Sequence, residues 1–169
     1  MTPGGWWLAV LRDLTGVSAA AAVLGWRPWR DDSATWRRRR GPLVVNAVIL
    51  GLLVLAGQGH LYLLLWLLPL ATWYRLAARV RTLAEHALLP DDGDPLRNAR
   101  TTGAGWLARA FLALYRVNFH LAHHLAVFVP CWRLPTLHAL LVARARGAGL
   151  EVAPSYAALV RRATSGPVS

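Results

Sequence analysis

The stretch GPLVVNAVILGLLVLAGQGHLYLLLWLLPLATWY, residues 41–74, contains 34 consecutive positions without an Asp, Glu, Lys or Arg. No ordinary soluble domain needs that. At about 1.5 Å per residue one unbroken helix of this length would reach ~51 Å, well beyond the ~30 Å hydrocarbon core of a bilayer, so the segment should fold back on itself. The turning point is legible. Residues 43–56 are an apolar run, Gly57-Gln58-Gly59-His60 form a polar, Gly-rich turn, and residues 61–74 are a second run with Trp66 and Pro69 inside it. The reading is a hairpin of two transmembrane helices.

Each run is short for a span, so both helices should continue into their flanks, with Arg side chains snorkelling to the interface. Arg37, Arg38, Arg39 and Arg40 precede the first run, while Arg75, Arg79 and Arg81 follow the second, and the connecting turn is uncharged. By the positive-inside rule both outer ends are cytoplasmic. A buried helical pair in a soluble protein fits the uninterrupted apolar length less well. A single span with a re-entrant segment is the alternative topology.

Composition agrees with a membrane protein. Of 169 residues 56% are hydrophobic and 16% charged, and the mean hydropathy of +0.36 rules out a disordered chain. The 19 basic residues, all Arg, face eight acidic ones, for a formal charge of +11. Nucleic acid and membrane topology compete to explain that excess. The densest cluster abuts an apolar run, and no basic stretch is interleaved with stacking aromatics or a helix-turn-helix pattern. No nucleic-acid partner is expected, and the charge is read as orientation and contact with anionic lipid. The lone Cys131 excludes an intramolecular disulfide and a Cys-based zinc site.

The expected fold class is all-α and integral to the membrane: one transmembrane helical hairpin plus cytoplasmic or interfacial helices. Its segments are an N-terminal interfacial segment (1–36), the hairpin (37–80), a cytoplasmic histidine-bearing region (81–145) and a flexible tail (146–169). Residues 6–24 read as an interfacial helix with Trp6, Trp7, Trp26 and Trp29 at headgroup depth. No basic residue precedes that apolar part and it lacks a compact uncharged core, so a signal peptide is not expected. Residues 75–88 should prolong the second helix into the cytoplasm, and the polar loop 90–95 ends it. Residues 106–129 form the next periodic stretch, broken by Arg109 and Arg116. Pro130 and Pro135 then lead into a short helix over 136–145.

Six histidines remain: His60, His86, His120, His123, His124 and His138. His120, His123 and His124 stand at i, i+3 and i+4, so on a helix they project from one face within reach of a common ion. Neutral imidazoles can hold a divalent cation without a carboxylate. A His-rich amphipathic surface would account for one or two histidines. Three on one face beside Asn118, in a membrane-associated helix, favour a metal. His60, in the turn between the spans, lies ~39 Å along a continuous helix from His86 and cannot share its site. His86 falls at the cytoplasmic end of the second span, on the side of the triplet, with Glu85 placed to orient it. His138 is as suited to packing or capping as to ligation.

The segment NFHLAHH at residues 118–124 resembles the third histidine box, H-x-x-H-H, of the membrane fatty acid desaturase/hydroxylase family. RTLAEH at 81–86 is similar to the R-x-x-x-E-H element before that box, and VPCWRLPTLH at 129–138 to the V-P-x-x-x-L-P-x-L-H run after it. RDLTG at 12–16 resembles the linker between the family's second box and its later spans. The likeness runs from about residue 11 to residue 141.

The resemblance implies non-haem iron, with two irons in the family, bound through His120, His123, His124 and His86, and oriented by Glu85 and Asn118. It implies O₂-dependent removal of hydrogen from an acyl chain in the bilayer, with electrons from a ferredoxin- or cytochrome-type donor. It also implies the C-terminal portion of a family member, since the first two boxes belong upstream of the linker. Four histidines fill about one metal's octahedral shell at most. A chain of this kind is expected to be inactive alone, being either the product of a truncated or misassigned reading frame or one that needs a second polypeptide for the missing boxes. A non-catalytic membrane protein derived from a desaturase, or a hydroxylase or ketolase of the same superfamily, is the alternative.

Overall fold

In the computed structural model, which describes residues 2–25, 33–87, 89, 94–145 and 149–165, the chain turns where the glycines stand. Helix α3 (Ser33–Leu55) ends at Ala56, Gly57 takes a left-handed φ of 70°, and Gln58 caps the next helical stretch. That stretch runs over Gly59–His86 as α4 (Gly59–Tyr62), a π-helical turn (Leu63–Leu67), α5 (Leu68–Ala71) and α6 (Trp73–His86). The π turn has a cause. Pro69 has no N–H for the carbonyl of Leu65, so the ladder slips by one position just before it. Thr72 then leaves helical geometry, with its hydroxyl donating to the Leu68 carbonyl at 2.7 Å.

Among the described residues, Gly59–His86 is the one helix long and apolar enough by composition to cross a membrane, and only 11% of its most apolar window is buried. The first helix of the expected hairpin, α3, has Arg37 to Arg40 inside its N-terminal half, which leaves residues 41–55 as its charge-free part. Two shorter helices, α1 (Pro3–Leu14) and α2 (Val17–Leu24), pass the same test only if joined, and they are bent by 76°. Gly16 makes that bend at φ 77°, a left-handed conformation that favours glycine. Trp26 and Trp29 lie outside the described residues, as does most of the 90–95 loop. Of the expected interfacial Trp pair, Trp6 is 5% exposed, against 64% for Trp7. Neighbours on a helix point about 100° apart, so one of a Trp pair faces protein.

The chain divides into two units, Leu8–Leu76 and Met1–Trp7 with Ala77–Ser169. In the first, α3 is pinned to the following helix through Asn46. Its Oδ1 accepts from Tyr62 Oη at 2.7 Å and Trp66 Nε1 at 2.8 Å, while its Nδ2 donates to the Pro42 carbonyl. Helices α2 and α5 flank an apolar groove of ≈ 710 Å³, at whose rim Arg75 donates to the Ser18 carbonyl at 3.1 Å.

The second unit departs from the all-α expectation in one small respect. Two-residue strands, β1 (Thr101–Thr102) and β2 (Val152–Ala153), pair in parallel, and Thr101 also bridges Phe119. A Cβ on Gly103 would overlap the Pro154 carbonyl oxygen, so glycine is what lets the two backbones close. The core is Ala84, Ala113, Ala153, Tyr156 and Leu159. The last three come from the 146–169 segment expected to be loose. Instead it supplies β2 and α10 (Tyr156–Thr164), capped by Ser155 Oγ accepting from the Ala158 N–H at 3.1 Å.

The 106–129 stretch is likewise not one helix. It is α7 (Trp106–Phe111), a 3₁₀ turn (Leu114–Arg116) and α8 (His120–Leu125), followed by α9 (Leu134–Ala145). Tyr115 and Arg116 take φ of 55° and 61°, which interrupts the helix, and Phe119, at φ −87° and ψ 46°, is bridged by Thr101. Long-range pairing here overrides the local period.

Candidate metal centre

Three histidines converge. His86 closes α6, and His120 and His124 stand one turn apart on α8, so helical spacing places the latter two on the same face. His120 Nε2 lies 3.0 Å from His86 Nε2 and 3.0 Å from His124 Nε2. One ligand atom from each falls within 4.8 Å of the others. The ring planes are steeply inclined, at 81° for His86 with His120 and 68° for His120 with His124, and it is their Nε2 atoms that approach one another.

The spacing suits an ion. Two imidazole nitrogens at about 2.1 Å from a metal, on adjacent octahedral positions, are about 3.0 Å apart. The donor set is nitrogen-rich, which fits iron or zinc better than magnesium or calcium. These residues therefore fit a first-row divalent ion.

Burial prepares the site electrostatically. It is the main reason His120 is held down to about 4, with His124, His86, His123 and Arg81 adding to the effect. His124 is lowered for the same first reason, with the neighbouring His86 and His123 contributing and Glu85 opposing. Neutral His120 keeps a lone pair for a metal at neutral pH. Its 3.9 Å approach to Glu85 Oε2 is then a contact between a neutral ring and a carboxylate, not an ion pair.

The remaining sequence candidates fall differently. His123 is exposed and stands aside from the trio, its ring centroid 6.0 Å from that of His120 and 6.2 Å from that of His124. Glu85 faces His120 and takes Arg81 Nε on its other oxygen at 3.2 Å. Asn118 is buried and donates from Nδ2 to the Thr102 carbonyl at 3.0 Å, while the Thr102 N–H returns to the Asn118 carbonyl. It shapes the entry to α8. His138 packs on Phe119 with Nδ1 3.4 Å from Thr101 Oγ1, and burial lowers its pKa. His60 opens α4 and is not in the cluster.

Sequence reasoning missed the supports. Arg100 is 2% exposed, and burial lowers its pKa while Glu151 opposes that. Tyr156 is buried beside Ala84, and burial, then Glu85, pushes its phenol up to about 12. Its hydroxyl and Asn118 Oδ1 have no hydrogen-bond partner among the described residues. A single buried arginine, between Ala99 and Thr101 in the chain, has no periodic signature, and only its pairing partners in space mark it.

A sequence profile described as "Fatty acid desaturase" matches residues 1–156. No curated protein and no solved structure matches the chain.

Proposed function

The chain belongs to the fatty acid desaturase family, and from that premise we propose that it contributes one side of a non-haem di-iron centre that oxidises acyl chains in a membrane. The convergence of His86, His120 and His124 Nε2 carries the reading. Those three would hold the ion, and a modest swing of the exposed His123 would add a fourth ligand. Iron bound there would supply O₂-dependent removal of hydrogen from an unactivated C–H bond, with electrons from a ferredoxin- or cytochrome-type donor.

The chain's own residues set up that chemistry. Burial keeps His120 unprotonated, and Glu85 places a negative charge beside the imidazoles. The fatty acyl substrate reaches the site from the bilayer. In this reading α3 and the Gly59–His86 helix form a transmembrane hairpin with both outer ends cytoplasmic, on the strength of the flanking arginines. Two irons need more ligands than these four histidines, so H-x(3–4)-H and H-x-x-H-H boxes from another polypeptide or a longer form of this one would complete the centre.

Metal analysis of the detergent-purified protein, with a lipid-desaturation assay, tests this. Stoichiometric iron is expected, with double-bond formation only when a polypeptide carrying the other two boxes is co-expressed. Robust desaturation by this chain alone, or purification without metal after iron loading, would overturn it.

A further inference from the structure

The C-terminal end of α6 is where His86 sits, and a helix end leaves its last four carbonyls without partners inside the helix. For α6 these are Ala84, Glu85, His86 and Ala87, since the Leu83 carbonyl still accepts from the Ala87 N–H at 3.1 Å. One residue answers three of the four. The Arg100 N–H donates to the Glu85 carbonyl at 3.1 Å, and its Nη1 donates to Ala87 at 2.9 Å and Ala84 at 3.4 Å.

The guanidinium is buried, and its Nη2 lies 3.8 Å from Glu151 Oε2. Glu151 in turn gives its backbone carbonyl to the Thr101 N–H at 2.9 Å and its Oε1 to Arg97 Nε at 4.0 Å. A cation at a helix C-terminus is also favoured by the helix dipole.

The two residues after Arg100 grip the other ligand-bearing segment. Thr101 bridges Phe119, and the Thr102 N–H donates to the Asn118 carbonyl at 2.9 Å, immediately before His120 opens α8. Residues 100–102 thus join the end of α6 to the start of α8.

We propose that Arg100 is a positioning residue for the metal centre: by clamping the last carbonyls of α6, with Glu151 holding its charge, it fixes His86 against His120 and His124. This rests on the reading of those histidines as metal ligands. A group that orients ligands from behind typically alters metal affinity by about 10–100-fold. A group that only supports the fold leaves affinity unchanged once the protein is folded.

The test is Co(II) titration of the full detergent-solubilised chain, read by visible ligand-field absorption, with helicity followed by circular dichroism. Arg100→Gln should raise the Co(II) Kd about tenfold or more and alter the absorption envelope at unchanged helicity. Arg100→Lys, which keeps the charge and a donor, should recover part of the loss, and Glu151→Gln should weaken binding in the same direction. If Arg100→Gln does not fold, the Lys and Glu151→Gln variants decide, each expected to show weaker binding than wild type. Folded variants that keep the wild-type Kd within twofold and the same spectrum would overturn the positioning role while leaving the ligand assignment intact. Failure of the wild-type chain to bind Co(II) would overturn the ligand assignment and the proposal with it.

Discussion

In the unit Leu8–Leu76 the large apolar side chains face outward, Leu55 at 86% and Leu65 at 71% exposure, and the link between helices is polar, through Asn46. In the unit that carries the histidines the buried set includes Arg100, Thr101, Thr102, Asn118 and Glu85, around a core whose aliphatic members are mostly alanine. An outer surface of Leu and Trp suits a surrounding that is itself apolar, where association relies on close packing and hydrogen bonds. Buried arginine and threonine are tolerable only when nearly every donor and acceptor is matched. The first unit is specified by its solvent, the second by its internal hydrogen bonds. Substitutions should therefore act by different routes in the two.

The largest effect belongs to the histidines. Changing His120 and His124 together to Ala should abolish stoichiometric metal in the purified protein, read by elemental analysis. His123→Ala should leave most of it, and equal losses would mean that His123 is as central as the other two.

Acid should come next. His120 sits at about 4 when folded, below the ordinary 6.5. Above pH 6.5 both folded and unfolded chains are neutral there, so the group contributes nothing to the pH dependence. As pH falls from 6.5 towards 4 the unfolded chain takes up the proton first, and stability drops by up to about 1.4 kcal/mol per pH unit before levelling off. Denaturant midpoints of the metal-free protein measured across that window check this, and His120→Gln should flatten the slope.

Gly103→Ala pushes a methyl into the Pro154 carbonyl and should cost about 1–3 kcal/mol, seen as a lower Tm. An unchanged Tm would mean that the strand pair is not clamped there. Smallest is Asn46→Ala, expected to weaken the pairing of α3 with the next helix by about 1 kcal/mol, because Tyr62 and Trp66 lose their acceptor. Its effect on metal content should be nil, which separates the two units experimentally.

What the sequence made legible was local. The break at Gly57, the continuation of helix from residue 75 to His86, and the one-turn spacing of His120 and His124 all follow from periods and turn residues within a few positions. His86, 34 residues from His120, is placed by topology, at the cytoplasmic end of the second helix on the side of the triplet, and then by likeness to a family, since no local spacing joins the two. Residues 106–129 looked like one helix because short helical turns with outward-facing Trp106 and Tyr115 keep an apolar period without forming a continuous rod. The 146–169 segment looked loose because its Gly, Ser and Arg content hides a single strand pair and three buried side chains, Ala153, Tyr156 and Leu159. Those contacts link residues about fifty positions apart, and no window of local pattern contains both partners.

The parallel pairing of Thr101 with Val152 and of Thr102 with Ala153 also sets a schedule. Every histidine of the cluster is synthesised by residue 124, yet the strand that steadies their two segments lacks its partner until residue 153 has left the ribosome. Contacts of such sequence separation close late because the intervening loop must first be ordered. During elongation the imidazoles are present before the frame that aligns them, so ion capture should follow the docking of β2 and not the emergence of the ligands.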